Sequence, residues 1–233
     1  MGKKIGLIGA MDEELAFLLE QVEDQQKQVY ADSEFITGTY FGHDVVVCKS
    51  GIGKVNAAIN TQILIDRFAV ENVIFTGVAG AAEPSLNIGD IVISSSCQQH
   101  DMDASALGYE VGVTPDQEVS DFPADVALIK LAEQSCLQLG NDCHYIVGRV
   151  LSGDQFISDK SIVSKLHHTF KGACVEMEGA SVAQVCHRNG IPYVVIRSMS
   201  DKADNSAHMN YPEFVVIAAN RSFEIIQGMF KQL

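Results

Sequence analysis

The residues with most chemistry to offer are acidic and stand where apolar runs end. Val175-Glu176-Met177-Glu178-Gly179-Ala180 puts two Glu two positions apart at the end of an apolar run. Both lie on the same side while the backbone stays extended. Ionised carboxylates are costly to bury without partners, and the vicinal hydroxyls of a ribose would satisfy them as acceptors. The same residues also read as a buried Glu paired with an Arg, followed by an acid at a helix start. After the first apolar run comes Gly9-Ala10-Met11-Asp12-Glu13-Glu14. Leu15, Leu18, Leu19 and Val22 then make an i, i+3, i+4, i+7 stripe. Glu13 points nearly opposite that stripe, while Asp12 and Glu14 sit at its margins and could reach a cleft. The helix dipole alone favours acids in a first turn, so helical phase does not choose between those two. Arg197-Ser198-Met199-Ser200-Asp201 places Arg197 and Asp201 near one strand end. An Asp there is a proton donor if its pKa is raised; an Asx turn or helix cap explains it equally well.

Other segments carry weaker signals. Ser50-Gly51-Ile52-Gly53-Lys54 has two Gly that let backbone approach a ligand, without the Walker spacing. Thr76-Gly77-Val78-Ala79-Gly80-Ala81-Ala82 leaves room for a flat ligand or for close helix packing. It is not G-x-G-x-x-G and has no acid placed for a ribose, which argues against NAD. His100, Asp101 and Asp103 share one acidic loop with no second cluster to complete a metal site, so no metal is expected. No Gly-x-Ser-x-Gly elbow supports a serine hydrolase.

The elements that must position these residues alternate. Lys4–Ile8, Val45–Lys49, Asn72–Thr76, Ile91–Ser95, Ile146–Ser152, Ala173–Met177 and Tyr193–Ser198 read as strands, most of them continuously apolar as strands covered on both faces are. Phe35–Phe41 and Val45–Lys49 flank Gly42-His43-Asp44 as a hairpin. Helical patterns fill Asp12–Glu23, Val55–Phe68, Ala124–Leu139, Asp159–His168, Glu178–Arg188 and Glu213–Gln232. This alternation predicts an α/β fold with a mixed sheet between helical layers, over one domain spanning residues 1–233. Gln98–Phe122 is the longest irregular stretch, the kind of loop that usually carries function. In open α/β sheets ligands bind outside the carboxyl ends of the strands, which is where the acids stand.

Composition narrows the partners. A net charge of −14 disfavours nucleic acid and anionic membrane surfaces but not a small neutral substrate. Aromatics are 7% with no Trp, a poor basis for stacking along a nucleic acid. The six Cys lack C-x-x-C spacing and sit in apolar runs, consistent with reduced buried thiols in the cytoplasm. The opening segment reads as a strand rather than a signal peptide, and no apolar run approaches the length of a membrane span.

Six segments in order resemble the bacterial 5′-methylthioadenosine/S-adenosylhomocysteine nucleosidases, relatives of the purine nucleoside and uridine phosphorylases. They are Ile5–Glu14, Ser50–Lys54, Thr76–Gly80, Ser152–Ile157, Val175–Glu178 and Ser200-Asp201. The resemblance implies a three-layer α/β/α, nucleoside-phosphorylase-like fold and release of adenine without metal or organic cofactor. It implies Glu14 as the base that activates water and Asp201 as the acid at adenine N7. Glu178 would hold the ribose hydroxyls, with Met177 along the sugar and Arg197 near the water. Phe156 would stack on adenine and the backbone of Ile157 would read its edge. Ile52, Leu107, Tyr109 and Tyr211 would line the 5′-alkylthio pocket, some of them from the partner in a homodimer. Val78, Ser200 and Glu176 complete the expected substrate contacts, Glu176 without an assigned task. Val78 stands where many relatives have Ser, Leu107 where an aromatic is common, and Thr114–Phe122 differs from close relatives, which bears on the 5′ substituent. Alternatives are a nucleosidase preferring aminofutalosine, a phosphate-dependent nucleoside phosphorylase and a nucleoside-binding protein without chemistry.

Overall fold

The computed structural model describes residues 3–140, 143–201 and 207–233, with the side chains of 201 and 207–213 outside that description. Ten strands and six helices follow in the order β1 (Ile5–Gly9), α1 (Asp12–Leu19), β2 (Glu23–Tyr30), β3 (Ser33–Tyr40), β4 (His43–Lys49), α2 (Lys54–Phe68), β5 (Asn72–Ala81), β6 (Ile91–Gln99), β7 (Asp121–Pro123), α3 (Val126–Gln138), β8 (Tyr145–Ser152), α4 (Lys160–Phe170), β9 (Gly172–Glu176), α5 (Gly179–Asn189), β10 (Tyr193–Asp201) and α6 (Ala207–Phe230) among the described residues.

The fully apolar runs become strands buried on both faces, as expected. Alternation along them separates two cores. Ile5 and Leu7 of β1, Val45 and Val47 of β4, and Val194 and Ile196 of β10 pack with Leu15 and Leu18 of α1, Leu128 of α3 and Ile226 of α6. Ile8, Val46, Phe75 and Val195 point the other way, onto Leu64 and Phe68 of α2 and Val182 and Cys186 of α5. The mixed sheet therefore lies between helical layers, the three-layer arrangement read from the sequence. It runs β10-β6-β8-β9-β5-β1-β4-β3-β2, with β10 pairing β5 as well and β7 pairing β6. That extra pairing closes β5, β10, β6, β8 and β9 into a ring, with β1, β4, β3 and β2 continuing as an open wing.

The strands read as Asn72–Thr76, Ile91–Ser95 and Tyr193–Ser198 run on to Ala81, Gln99 and Asp201, and three further regions differ from the sequence reading. Asp12–Glu23 splits, because α1 stops at Leu19 and Glu23–Tyr30 forms an edge strand. Glu23–Val29 is exposed throughout, so the strand has no apolar alternation to announce it. The region Gln98–Phe122 is irregular except for the end of β6, a short 3-10 turn at Ser105–Leu107 and β7. The last helix begins at Ala207, before Pro212, a residue that disfavours helix interiors and so hides the true start.

Strands β1, β4, β5 and β10 are mutually parallel across their pairings, so their carboxyl ends open on the same side. β9 runs antiparallel to β5, with Val175 opposite Gly80, and this brings Glu176 to the same place.

Candidate active site

At these strand ends lies a cavity of about 250 Å³. Its walls come from Ala10 and Met11 after β1, Ile52 before α2, Val78–Gly80 of β5, Gln155–Ile157 after β8, Val175 and Glu176 of β9 with Met177 and Glu178 just beyond, and Ser200 of β10. Three carboxylates, Glu14, Glu176 and Glu178, face this space, and none of its described lining residues is Lys, Arg or His.

Glu14 lies in the first turn of α1, and the structure decides what helical phase left open. Glu14 is buried, whereas Asp12 is exposed and pairs with Lys49 at 2.9 Å. Glu14 Oε2 accepts from the amides of Ala10 (2.6 Å) and Met11 (3.1 Å). Its Oε1 accepts from the amide of Val78 at 3.0 Å. Burial pushes its pKa above the ordinary carboxylate value, against the opposing pull of Arg197 and these three amides. The position depends on Gly77: a Cβ there would come to 2.5 Å from Glu14 Oε1 and 3.0 Å from Arg197 Nη1.

Arg197 is the register partner of Gly77 across β5 and β10 and is 1% exposed. Its guanidinium stacks 3.9 Å from the ring centroid of Phe75. Nη2 and Nε donate to Glu176 Oε2 at 2.6 and 3.2 Å. Burial opposes its charge, but Glu176, Glu14 and Glu178 together hold it firmly protonated. Glu176 also accepts from the Ser152 hydroxyl and from the amides of Glu178 and Gly179. It lines the cavity with its oxygens already engaged, so the paired-Glu reading holds for it. Removing either member of such a pair strands a buried charge.

Glu178 caps α5 and accepts from the amide of Gly53 at 2.7 Å. Burial first, then the neighbouring Glu176, push its pKa up to about 8, opposed by the Gly53 amide and by Arg197. A group so poised changes protonation close to neutrality, and its ionised form accepts from hydroxyl donors.

Met177, Ile157, Phe156, Ile52, Val78 and Ser200, all among the expected substrate contacts, line the cavity. Asp201 ends β10 opposite Gly80, next to the cavity wall, and its side chain lies outside the described residues. Tyr211 falls on α6, also with its side chain outside them. Leu107 and Tyr109 are not among the lining residues of this chain: Leu107 is 76% exposed on its 3-10 turn, with Tyr109 just beyond. The sequence reading did not single out Ala10, Met11 and Gln155. Their contribution is backbone and shape, and their one signal is position, directly after strands. His100 and Asp101 both lie against Gly153, Asp101 pairing with Lys54, while Asp103 accepts from the Ser105 amide.

The Phosphorylase superfamily model matches residues 4–231. The chain belongs to this superfamily. A curated relative, the 5′-methylthioadenosine/S-adenosylhomocysteine nucleosidase of Shewanella oneidensis, is 45% identical over 231 residues, 99% of this chain and 97% of that protein. The crystal structure of the nucleosidase of the same name from Colwellia psychrerythraea, in complex with adenine, has a TM-score of 0.95 at 40% identity, covering 100% of this chain and 96% of that one. A futalosine hydrolase of Helicobacter pylori has a TM-score of 0.94 at 35% identity, covering 99% of this chain and 98% of that one. Within the superfamily the chain thus stands with the methylthioadenosine/S-adenosylhomocysteine nucleosidases, over its whole length.

Proposed function

We propose that this superfamily member hydrolyses the N-ribosidic bond of 5′-methylthioadenosine and S-adenosylhomocysteine, releasing adenine and the thioribose product, and that of 5′-deoxyadenosine, releasing adenine and 5-deoxyribose. This would serve methionine salvage and relieve inhibition by S-adenosylhomocysteine. The observation that carries the reading is the charge of the cavity wall, three carboxylates and no cation among its described residues. A phosphate dianion needs Arg or helix N-termini, and the nearest buried Arg is already committed to Glu176. A neutral nucleoside and a water fit; phosphate as nucleophile does not.

In this reading Glu14 takes the proton of the attacking water. Its raised pKa makes it a stronger base than an exposed carboxylate, with Arg197 opposing the rise that burial causes. Glu178 accepts from the ribose hydroxyls, with Met177 along the sugar. As the bond breaks, positive charge grows on the sugar, and the surrounding carboxylates stabilise it. Asp201 protonates adenine N7, so that neutral adenine leaves. Phe156 stacks on the base, the Ile157 backbone reads its edge, and Ser200 supports Asp201. Glu176 orients Arg197 and Gly179. Residues 1–233 act as one nucleosidase domain, without metal or organic cofactor.

We place the enzyme in the cytoplasm as a homodimer. Six buried free thiols suit a reducing compartment, and no helix among the described residues is long and apolar enough to cross a membrane. In the dimer, Leu107 and Tyr109 complete the 5′ end of the partner's cavity, joined there by Ile52 and Tyr211. A second reading, 6-amino-6-deoxyfutalosine as preferred substrate, draws on the likeness to the futalosine hydrolase.

The deciding experiment is adenine release from methylthioadenosine in phosphate-free buffer. Full release without phosphate is expected, and release that depends on added phosphate would make the chain a phosphorylase. Comparison of kcat/KM for methylthioadenosine and aminofutalosine separates the two nucleosidase readings.

A further inference from the structure

The turn that holds Glu178 is itself held from outside the cavity. Gly53 presents its amide to Glu178 from φ +97°, in the left-handed region that strains a side chain. The next amide, Lys54, donates to Asp154 Oδ1 at 2.8 Å. The Asp154 amide donates to Asp101 Oδ2 at 2.9 Å. Asp101 Oδ1 accepts from Lys54 Nζ at 2.6 Å, and that ammonium also donates to Gln99 Oε1 at 2.9 Å. Lys54, Asp154 and Asp101 therefore close a ring of hydrogen bonds. It joins the turn before α2, the end of β6 and the segment after β8 that carries Phe156 and Ile157. Gly153 completes the join: a Cβ there would come to 2.5 Å from His100 Nε2 and 3.1 Å from the Asp101 carboxyl carbon. The Lys54 and Asp101 side chains are largely covered, so solvent and salt screen them less than an open surface pair.

We propose that Lys54, Asp101 and Asp154 are positioning residues that lock the Gly53 amide onto Glu178 and tie that bond to the Phe156–Ile157 segment, so that the ribose and adenine ends of the cavity are set together. The proposal rests on the reading of Glu178 as the ligand of the ribose hydroxyls. Four groups act on Glu178 besides burial. Glu176 and Glu14 push its pKa up, while the Gly53 amide and Arg197 hold it down. Loosening the amide removes one of the two influences that lower the pKa of Glu178, so it climbs further. An acceptor for two hydroxyls works as the carboxylate, and kcat/KM reports the free enzyme. The acid limb of kcat/KM therefore moves to higher pH when the ring is broken.

Two variants test this on the full-length enzyme. Asp154→Ala removes the acceptor of the Lys54 amide. Asp101→Asn leaves one acceptor oxygen for two donors, so either the Asp154 amide or the Lys54 ammonium faces an NH2 and the ring opens. Neither residue lines the cavity. The measurement is kcat/KM for methylthioadenosine between pH 5 and 9, with the thermal midpoint beside it. In both variants the acid limb is expected to rise by about half a unit or more, the shift left when one hydrogen bond to a carboxylate is weakened. KM is expected to rise about three- to tenfold while plateau kcat changes less, because binding geometry and not the reacting groups is disturbed. A limb at the wild-type position in both variants, or a fall by one factor at every pH, overturns the proposal. A wild-type enzyme that releases adenine only with phosphate overturns the underlying reading instead, wherever the limb lies.

Discussion

The inner wall of the cavity and its outer rim are built on opposite terms. Inside, Glu14, Glu176, Glu178 and Arg197 are buried, and each is fixed by amides or side chains from other elements. At the rim, Ile52 is 54% exposed and Phe156 47%, both on turns, and Leu107 stands farther out still. Buried groups with several partners have one arrangement, which bond cleavage needs. Exposed side chains on turns adapt, which suits the part of a substrate that varies. In the proposed reading the bond that is cut belongs to the wall, and the choice of 5′ group to Ile52 and Leu107 of the rim.

The largest break would come from the wall. Glu14→Gln and Asp201→Asn should each lower kcat by ~10²–10⁴-fold, the range of one acid–base role. Binding of a non-hydrolysable analogue should stay largely intact in both. Full activity in either variant would strip that residue of its role. Next in size is a change of packing. Gly77→Ala drives a methyl into Glu14 and Arg197, which should cost about 1–3 kcal/mol of stability and most of the activity together. A stable, active Gly77→Ala enzyme would show that Glu14 need not sit where it does. Arg197→Met should cost about 3–5 kcal/mol by leaving Glu176 buried and unpaired, measured by urea unfolding.

A smaller effect follows from pH. Folded Glu178 keeps its proton up to about 8, whereas the unfolded side chain releases it near the ordinary value of 4.5. The stability this contributes is complete below 4.5 and is lost as pH rises toward and through 8. Glu178→Gln should flatten that fall in thermal midpoint, and an unchanged slope would place the proton elsewhere. The smallest effect belongs to the rim. Leu107→Phe should change the KM ratio of methylthioadenosine to S-adenosylhomocysteine by less than about tenfold, as hydrophobic pocket changes do, with kcat unchanged.

Much of the wall was legible in the sequence because it sits at strand ends, and strand ends follow from apolar runs. Val175–Glu178 and Arg197–Asp201 could be found that way, but not that Glu176 is spent on Arg197 and leaves Glu178 alone to face a substrate. The choice of Glu14 over Asp12 could not, since both lie at the margin of one stripe. It depends on the amide of Val78, sixty-four positions away. The Lys54–Asp101–Asp154 ring was equally hidden, because it joins three turns that only the closed sheet brings together. The polar edge strand Glu23–Tyr30 left no pattern at all, being exposed along nearly its whole length.

Glu14 has one further consequence. The same carboxylate that would take a proton from water also satisfies the amides of Ala10 and Met11 at the start of α1, a place where helices need an acceptor and favour negative charge. Residues kept for reactivity commonly trade against robustness of the fold; here the two demands coincide. A lineage drifting toward a silent nucleoside binder by an apolar change at this position would weaken the beginning of a helix along with its base, so the fold itself helps to hold the reaction in place.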